Sequence, residues 1–317
     1  MFFHDSPESL AGVEFSRIHF LLEFQEPFTV DSAILLSLRR DLLRAARHAL
    51  GVDRVGRGGE AFAALFDPPL FSDPVLVRRH QRPAPGFVLH PSPGEVRAYD
   101  CGDTLRLPVL LLGTAVQQLG DFAATLQKLG QMGLCRGEGL FDLVAIEAED
   151  PSGDQRCLWQ EGSDLGHMAP PIIDTPWWLA RRDFSGRELS LEFLTPARLL
   201  SGGKPLFRPN FTQIFPFVLR RVTSMIAAHC HCEIVGDPDP LLRAARSLEE
   251  IDNGLEWRDY KLLERADRDQ EIGGLVGSLR LAGDALDAIL WVLHLGSLFN
   301  VGKNAAYGSG CYRLAAP

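Results

Sequence analysis

Apolar and polar positions run through the same order twice along this chain. Arg17-Ile18-His19-Phe20-Leu21-Leu22-Glu23-Phe24 alternates in part and predicts a strand. Phe28-Thr29-Val30-Asp31 then leads into a helix, with Asp31 or Ser32 as its N-cap. Ile34, Leu35, Leu38, Leu42, Ala45, Ala46 and Ala49 recur at helical spacing and give that helix a buried face. The second pass opens with Glu188-Leu189-Ser190-Leu191-Glu192-Phe193-Leu194-Thr195, a strand ended by Pro196. After Gly202-Gly203-Lys204-Pro205 the pattern predicts a helix over about 211–228, with Arg220 and Arg221 on its polar side.

Further on, Leu255-Glu256-Trp257-Arg258-Asp259-Tyr260 reads as extended chain. Gly273-Gly274-Leu275-Val276-Gly277-Ser278-Leu279-Arg280-Leu281 predicts a strand whose first glycines permit close approach of another backbone or a ligand. A helix over about 284–298 and a short strand over 311–314 complete the pattern. Strand then helix, opened twice, predicts tandem α+β units rather than the steady alternation of a parallel barrel or dinucleotide-binding sheet. Residues 67–108, rich in Pro and Gly, read as a long loop or β-hairpin insert, and prolines over 150–187 place the domain boundary at 183/184.

Composition narrows the class. The chain has 317 residues, 46% hydrophobic and 23% charged, as in a soluble globular protein of two domains. The apolar run over 285–298 is broken by Asp287 and His294 and is too short for a membrane span. The start, Met1-Phe2-Phe3-His4-Asp5, lacks the basic residues and cleavage site of a signal peptide. Cysteines at 101, 135, 157, 230, 232 and 311 are scattered, which predicts reduced thiols and a cytoplasmic protein.

A net charge of −9 argues against indiscriminate binding of nucleic acid. The arginines are nonetheless clustered, at 39, 40, 44 and 47, at 78, 79 and 82, at 181, 182 and 187, and at 220 and 221. Basic patches on an acidic body suit a specific polyanion.

The segment from Asn300 to Tyr312 holds the densest candidate chemistry. Gly302, Gly308 and Gly310 could turn backbone N–H groups toward an anion, and Lys303 adds a positive charge. It is no P-loop, because Gly296 lies one residue too far upstream and Asn304 follows Lys303. Gly308-Ser309-Gly310 has no room for a βαβ unit behind it, which excludes a dinucleotide fingerprint. The plain alternative is a glycine turn that lets a last strand pack closely.

On the first helix Arg40, Arg44, Arg47 and His48 fall at i, i+4, i+7 and i+8, one face on which a phosphate could be gripped and a proton moved. His48 is the preferred catalytic residue. His19 reads as packed or turned to solvent, His294 as a core residue, and His4 as terminal. His229-Cys230-His231-Cys232 invites a metal, but neighbours in sequence point in different directions and do not close one tetrahedral site. No metal and no cofactor is expected.

Taken in order, several segments resemble the CRISPR-associated endoribonuclease that processes precursor CRISPR RNA, a member of the RAMP superfamily. They are Leu191-Glu192-Phe193-Leu194-Thr195-Pro196-Ala197-Arg198-Leu199, Leu219-Arg220-Arg221-Val222-Thr223-Ser224, Trp257-Arg258-Asp259-Tyr260, Gly273-Gly274-Leu275-Val276-Gly277, and Val301-Gly302-Lys303 with Tyr307-Gly308-Ser309-Gly310-Cys311-Tyr312. The N-terminal half matches more loosely, through helix 36–51 and Phe62-Ala63-Ala64-Leu65-Phe66-Asp67-Pro68. The resemblance implies an α+β fold of two tandem ferredoxin-like (RRM-like) domains, 1–183 with the insert and 184–317 with a C-terminal glycine-rich loop.

It also implies metal-independent cleavage of repeat RNA by 2′-OH attack, leaving a 2′,3′-cyclic phosphate; the alternative is a non-catalytic RNA-binding subunit of a CRISPR effector complex. On this reading His48, Lys303 and Tyr307 are catalytic. Arg40, Arg44, Arg47, Arg220, Arg221, Gly302, Asn304, Gly308 and Gly310 hold the RNA. The partner is CRISPR repeat RNA or crRNA, with an effector complex as a further one; no membrane is involved, and the protein is a monomer or homodimer. The chain departs from the family at Asn300, where many relatives have His, and at Gly56-Arg57-Gly58-Gly59, where relatives often have cysteines.

Overall fold

The structure, a computed structural model, describes residues 7–51, 59–80, 82–135, 137–182, 186–261 and 271–316. His4, the segment Gly56-Arg57-Gly58 and the expected boundary at 183/184 lie outside the described residues. The chain divides into two units: residues 14–173 with 228–230, and residues 1–13, 174–227 and 231–317.

The first unit is built on β1 (Glu14–Phe24), α1 (Ser32–Ala49), β2 (Phe87–Leu89), β3 (Thr104–Leu112), α2 (Leu119–Met132), β4 (Phe141–Glu149) and β5 (Gln155–Gln160). Its antiparallel sheet runs β2-β3-β1-β4-β5. Alternation along β1 sends Ile18, Phe20, Leu22 and Phe24 into the core, while Arg17 and His19 take the other face. Phe122 of α2 meets Phe20 at 5.4 Å and Phe87 at 5.0 Å, so one aromatic joins helix and sheet. Close packing of α2 depends on Gly130, where a Cβ would overlap the carbonyl oxygen of Phe141.

The stretch 67–108, expected as a long loop or β-hairpin insert, leads into the antiparallel pair of β2 and β3. It contains a helix (Pro74–His80), β2 and the first half of β3. Pro108 obscures β3 in the sequence, yet it pairs opposite His19 in mid-strand. Its carbonyl accepts from His90 N at 2.9 Å, so the absent N–H faces the point where β2 has already ended.

The second unit contains β6 (Glu188–Ala197), α3 (Phe211–His229), β7 (Glu249–Asn253), β8 (Glu256–Lys261), β9 (Glu271–Ala282), α4 (Leu286–Phe299) and β10 (Tyr312–Ala315). The antiparallel order is β7-β9-β6-β10, with β8 also on β9. Leu189, Leu191 and Phe193 of β6 face the same core as Leu279 and Leu281 of β9 and the apolar α4. In the first unit a βαββαβ sequence places β1 between β3 and β4, and in the second, with β8 as an extra strand on β9, β6 lies between β9 and β10; both follow the ferredoxin-like plan. No helix among the described residues is long and apolar enough to cross a membrane.

Candidate functional site

In the second unit, α4 delivers the chain into the turn between Asn300 and Tyr312. Asn300 closes the helix at φ 55° and is fully buried, its Nδ2 donating to the Ala305 carbonyl at 3.1 Å. Val301 N donates to Gly310 O at 3.0 Å and Gly310 N to Pro196 O at 3.0 Å, which ties both ends of the turn to each other and to β6. Lys303 N donates to Arg198 O at 2.9 Å. Thr195 serves twice, with its hydroxyl donating to Gly308 O at 2.7 Å and accepting from Cys311 N at 2.8 Å.

These bonds define what the glycines do. The N–H groups of Gly308 and Gly310 donate to Ala305 O and Pro196 O, so they are engaged inside the protein. Gly310, at φ 67°, has no space for a side chain: a Cβ would overlap the Val301 carbonyl oxygen. Gly302, at φ 98°, passes within 2.7 Å of Arg198 O measured from a Cβ position. The close-packed turn is therefore the observed role of Gly308 and Gly310. Lys303 stands exposed at its outer edge, next to Asn304 in the left-handed region at φ 63°. Tyr307, 5% exposed, is turned into the unit.

The two arginines expected on one polar face of α3 separate. Arg220 is exposed and lies over the Phe217 ring at 5.3 Å. Arg221 points inward, and its Nε donates to the carbonyl of Phe299, the last residue of α4, at 3.1 Å. The negative end of the α4 dipole faces this cation. Burial pulls the Arg221 pKa down to about 10. Arg221 thus braces the helix end from which the lysine turn departs.

In the first unit, Asp31 caps α1 by accepting from Ile34 N at 2.7 Å. Arg40 is held by Asp41, with Nη2 at 2.7 Å from Oδ2, an interaction that raises the arginine's pKa. Arg44, Arg47 and His48 are exposed in the last two turns, with no ion pair among the described residues.

The remaining histidines serve other ends. His19 sits between Arg17 and Arg106 on the outer face of its sheet, where Arg17 pairs with Glu149 at 2.9 Å and Arg106 with Glu147 at 3.2 Å. Burial, with the two arginines, lowers its pKa to about 4. His294 meets the edge of the Trp178 ring at 6.3 Å, and burial followed by Arg182 takes it to about 4 as well. Both imidazoles are neutral at physiological pH. His229 Nε2 lies 2.8 Å from Ala84 O, while the Cys232 thiol is directed to Ser9 O at 3.4 Å, so this run diverges. Among the described residues no group of three His, Cys, Asp or Glu converges on a metal position.

One aromatic pair at the surface lies outside the expected site residues. Phe207 and Trp257 form an aromatic contact with ring centroids 4.7 Å apart. The signal was an aromatic beside an arginine in the irregular run Pro205-Leu206-Phe207-Arg208-Pro209.

Comparison with known proteins adds the following. Residues 191–312 match the family model of the CRISPR-associated endoribonuclease Cas6, and residues 55–171 match a model described as an N-terminal domain. No curated protein matches the chain. Among solved structures the chain is similar to Thermus thermophilus Cas6, with a TM-score of 0.52 at 17% identity over 96% of this chain and 99% of that one. A Cas6 product complex gives 0.51 at 17% identity over 95% and 99%. A partial Cas6-RT-Cas1–Cas2 complex gives 0.57 at 13% identity over 96% of this chain and 46% of the other. At these identities the likeness is one of fold.

Proposed function

Segment 191–312 of this chain belongs to the CRISPR-associated endoribonuclease Cas6 family, and from that premise we propose that the protein cleaves precursor CRISPR RNA within its repeats. The observation that carries the reading is the exposed Lys303, on a turn braced by β6, inside the matched segment. A rigid turn holds a cation at a fixed place without reorganisation, which is what charge developing on a phosphorane requires.

The reaction is attack of the 2′-OH on the adjacent phosphate with departure of the 5′-oxygen, leaving a 2′,3′-cyclic phosphate. It proceeds without a metal. His48 moves the proton, being exposed and flanked by Arg44 and Arg47 on α1. Lys303 stabilises the phosphate charge, and Tyr307 acts through the shape of the turn. Arg40, Arg44, Arg47 and Arg220 contact RNA backbone, as do Gly302 and Asn304. Arg221 braces the end of α4 from within. The protein acts in the cytoplasm, as a monomer or homodimer, and can deliver its product to an effector complex.

Incubating the protein with repeat RNA in EDTA tests this. Discrete cleavage with a cyclic-phosphate end is expected, and His48→Ala should slow it by about 10²–10⁴-fold. Full-speed cleavage by His48→Ala would remove the proton-transfer assignment. Asn300 favours a second reading, a non-cutting RNA-binding subunit, because its buried amide supplies no titrating group where many relatives have His. A gel shift with intact RNA would select it.

A further inference from the structure

We infer that Phe207 and Trp257 form a stacking platform for one unpaired nucleobase of the bound RNA, a specificity contact separate from the lysine turn. The inference rests on the RNA-processing reading above and adds a ligand contact to it.

Phe207 is 55% exposed and is the one aromatic among the exposed large apolar side chains of the described residues. It is held there rather than left loose. Leu206 N donates to Leu199 O at 3.0 Å on one side, and Asn253 Nδ2 donates to Pro209 O at 3.1 Å on the other. The Phe207 ring rests on Trp257 at 4.7 Å with an interplanar angle of 60°, so a ring face stays open. Trp257 is itself fixed, its Nε1 donating to Asp259 Oδ1 at 2.7 Å. Its indole lies against the bare backbone of Gly273, where a Cβ would come within 3.0 Å of Cζ2 and Nε1. A glycine in β9 thus makes room for a tryptophan on β8, which in turn seats a phenylalanine in solvent.

The charges around this pair favour a nucleic acid. Lys204 and Arg208 flank Phe207 in sequence, are exposed, and have no ion pair among the described residues. Two neighbouring carboxylates are engaged inside the unit. Asp259 holds the indole, and Glu250 accepts from Phe211 N at 2.8 Å and from Asn253 Nδ2 at 2.9 Å. Arg258 pairs with Glu256 at 3.9 Å on the opposite face of β8. A rigid open π-face with cations beside it suits an unpaired base, with its phosphates on the lysine and arginine.

The test walks 2-aminopurine through the unpaired positions of a repeat RNA. Wild-type protein should quench the fluorescence at one position. Phe207→Ala should abolish that quenching and weaken binding about 5- to 150-fold, the range for loss of one base–aromatic stack. RNA made abasic at that position should bind wild type and Phe207→Ala alike. Phe207→Leu keeps the apolar contact to Trp257 without a π-face, so it carries the same test if the alanine variant unfolds. Wild-type affinity and an unchanged quenching profile in either variant, with cleavage intact, would overturn the inference and assign the patch to packing or a protein partner. Failure of wild type to bind or cut any repeat RNA would instead remove the processing reading, and this inference with it.

Discussion

Neighbouring residues on α3 carry the same charge to different ends. Arg221 donates to the last carbonyl of α4, whereas Arg220 stands in solvent over Phe217. Arg221→Met should therefore cost about 1–3 kcal/mol of stability in urea denaturation. Arg220→Ala should stay within about 0.5 kcal/mol of wild type while weakening RNA binding. Equal losses of stability from both would contradict the inward placement of Arg221. At Gly310, alanine must resolve an overlap with the Val301 carbonyl and a positive φ together, so Gly310→Ala should lower stability by at least about 2 kcal/mol in thermal unfolding.

His294 sets a pH dependence. Its folded pKa is about 4, lowered chiefly by burial, against an ordinary 6.5. Between pH 6.5 and 4 the unfolded chain takes up a proton that the native state refuses, so stability is full above 6.5, falls as the pH drops, and levels off below 4. His19 adds the same sign over the same window. Denaturation at pH 7, 5 and 4 should show a shallower acid decline in His294→Gln than in wild type. At this scale the sequence indicated which residue types mattered but not their directions. The two arginines lie about 100° apart around α3, and Arg221 falls in line with the buried Ile214, Val218 and Met225, but only the end of α4 supplies its partner.

The elements differ in how far local pattern determined them. The face of α1 was legible because Leu35, Leu38, Leu42, Ala45 and Ala46 follow the helical period and all five are buried. Its start was legible too, since Asp31 is the observed cap. Asp31→Ala should cost about 0.5–2 kcal/mol, read from the denaturation midpoint, and should also lower cleavage by fraying the helix that carries His48. β3 was hidden because its partners, β1 and β2, lie far away in sequence and its proline imitates a loop. The turn at 300–311 was found by composition, but where its N–H groups point was not legible there. Glycine content announces a tight path, and only the pairing with Thr195, Pro196 and Arg198 reveals that the N–H groups of Gly308 and Gly310 are engaged.

For the whole molecule, a net charge of −9 means that any polyanion would meet local basic patches against a repulsive background. Binding should weaken steeply as salt rises, with log Kd against log salt changing by about 0.7 for each single-strand phosphate neutralised. Lys303→Ala should reduce that slope by about one contact and leave the fold intact, because the lysine side chain is exposed. An unchanged slope would take Lys303 off the RNA path. Two tandem α+β units were legible from strand and helix opening twice, and the family resemblance implied their ferredoxin-like plan; the grouping of residues 228–230 with the first unit was not legible, because no local pattern encodes it.

The brace of the lysine turn also fixes when it can exist during synthesis. Its clamps join residues 195–198 to 308–311, and β10 must add beside β6 to hold them. A ribosome that has just made Lys303, four residues past the end of α4, has made nothing yet that pins it from the C-terminal side. The braced form of the turn appears only once β10, Tyr312–Ala315, has emerged, so shorter nascent chains carry Lys303 without its fixed place.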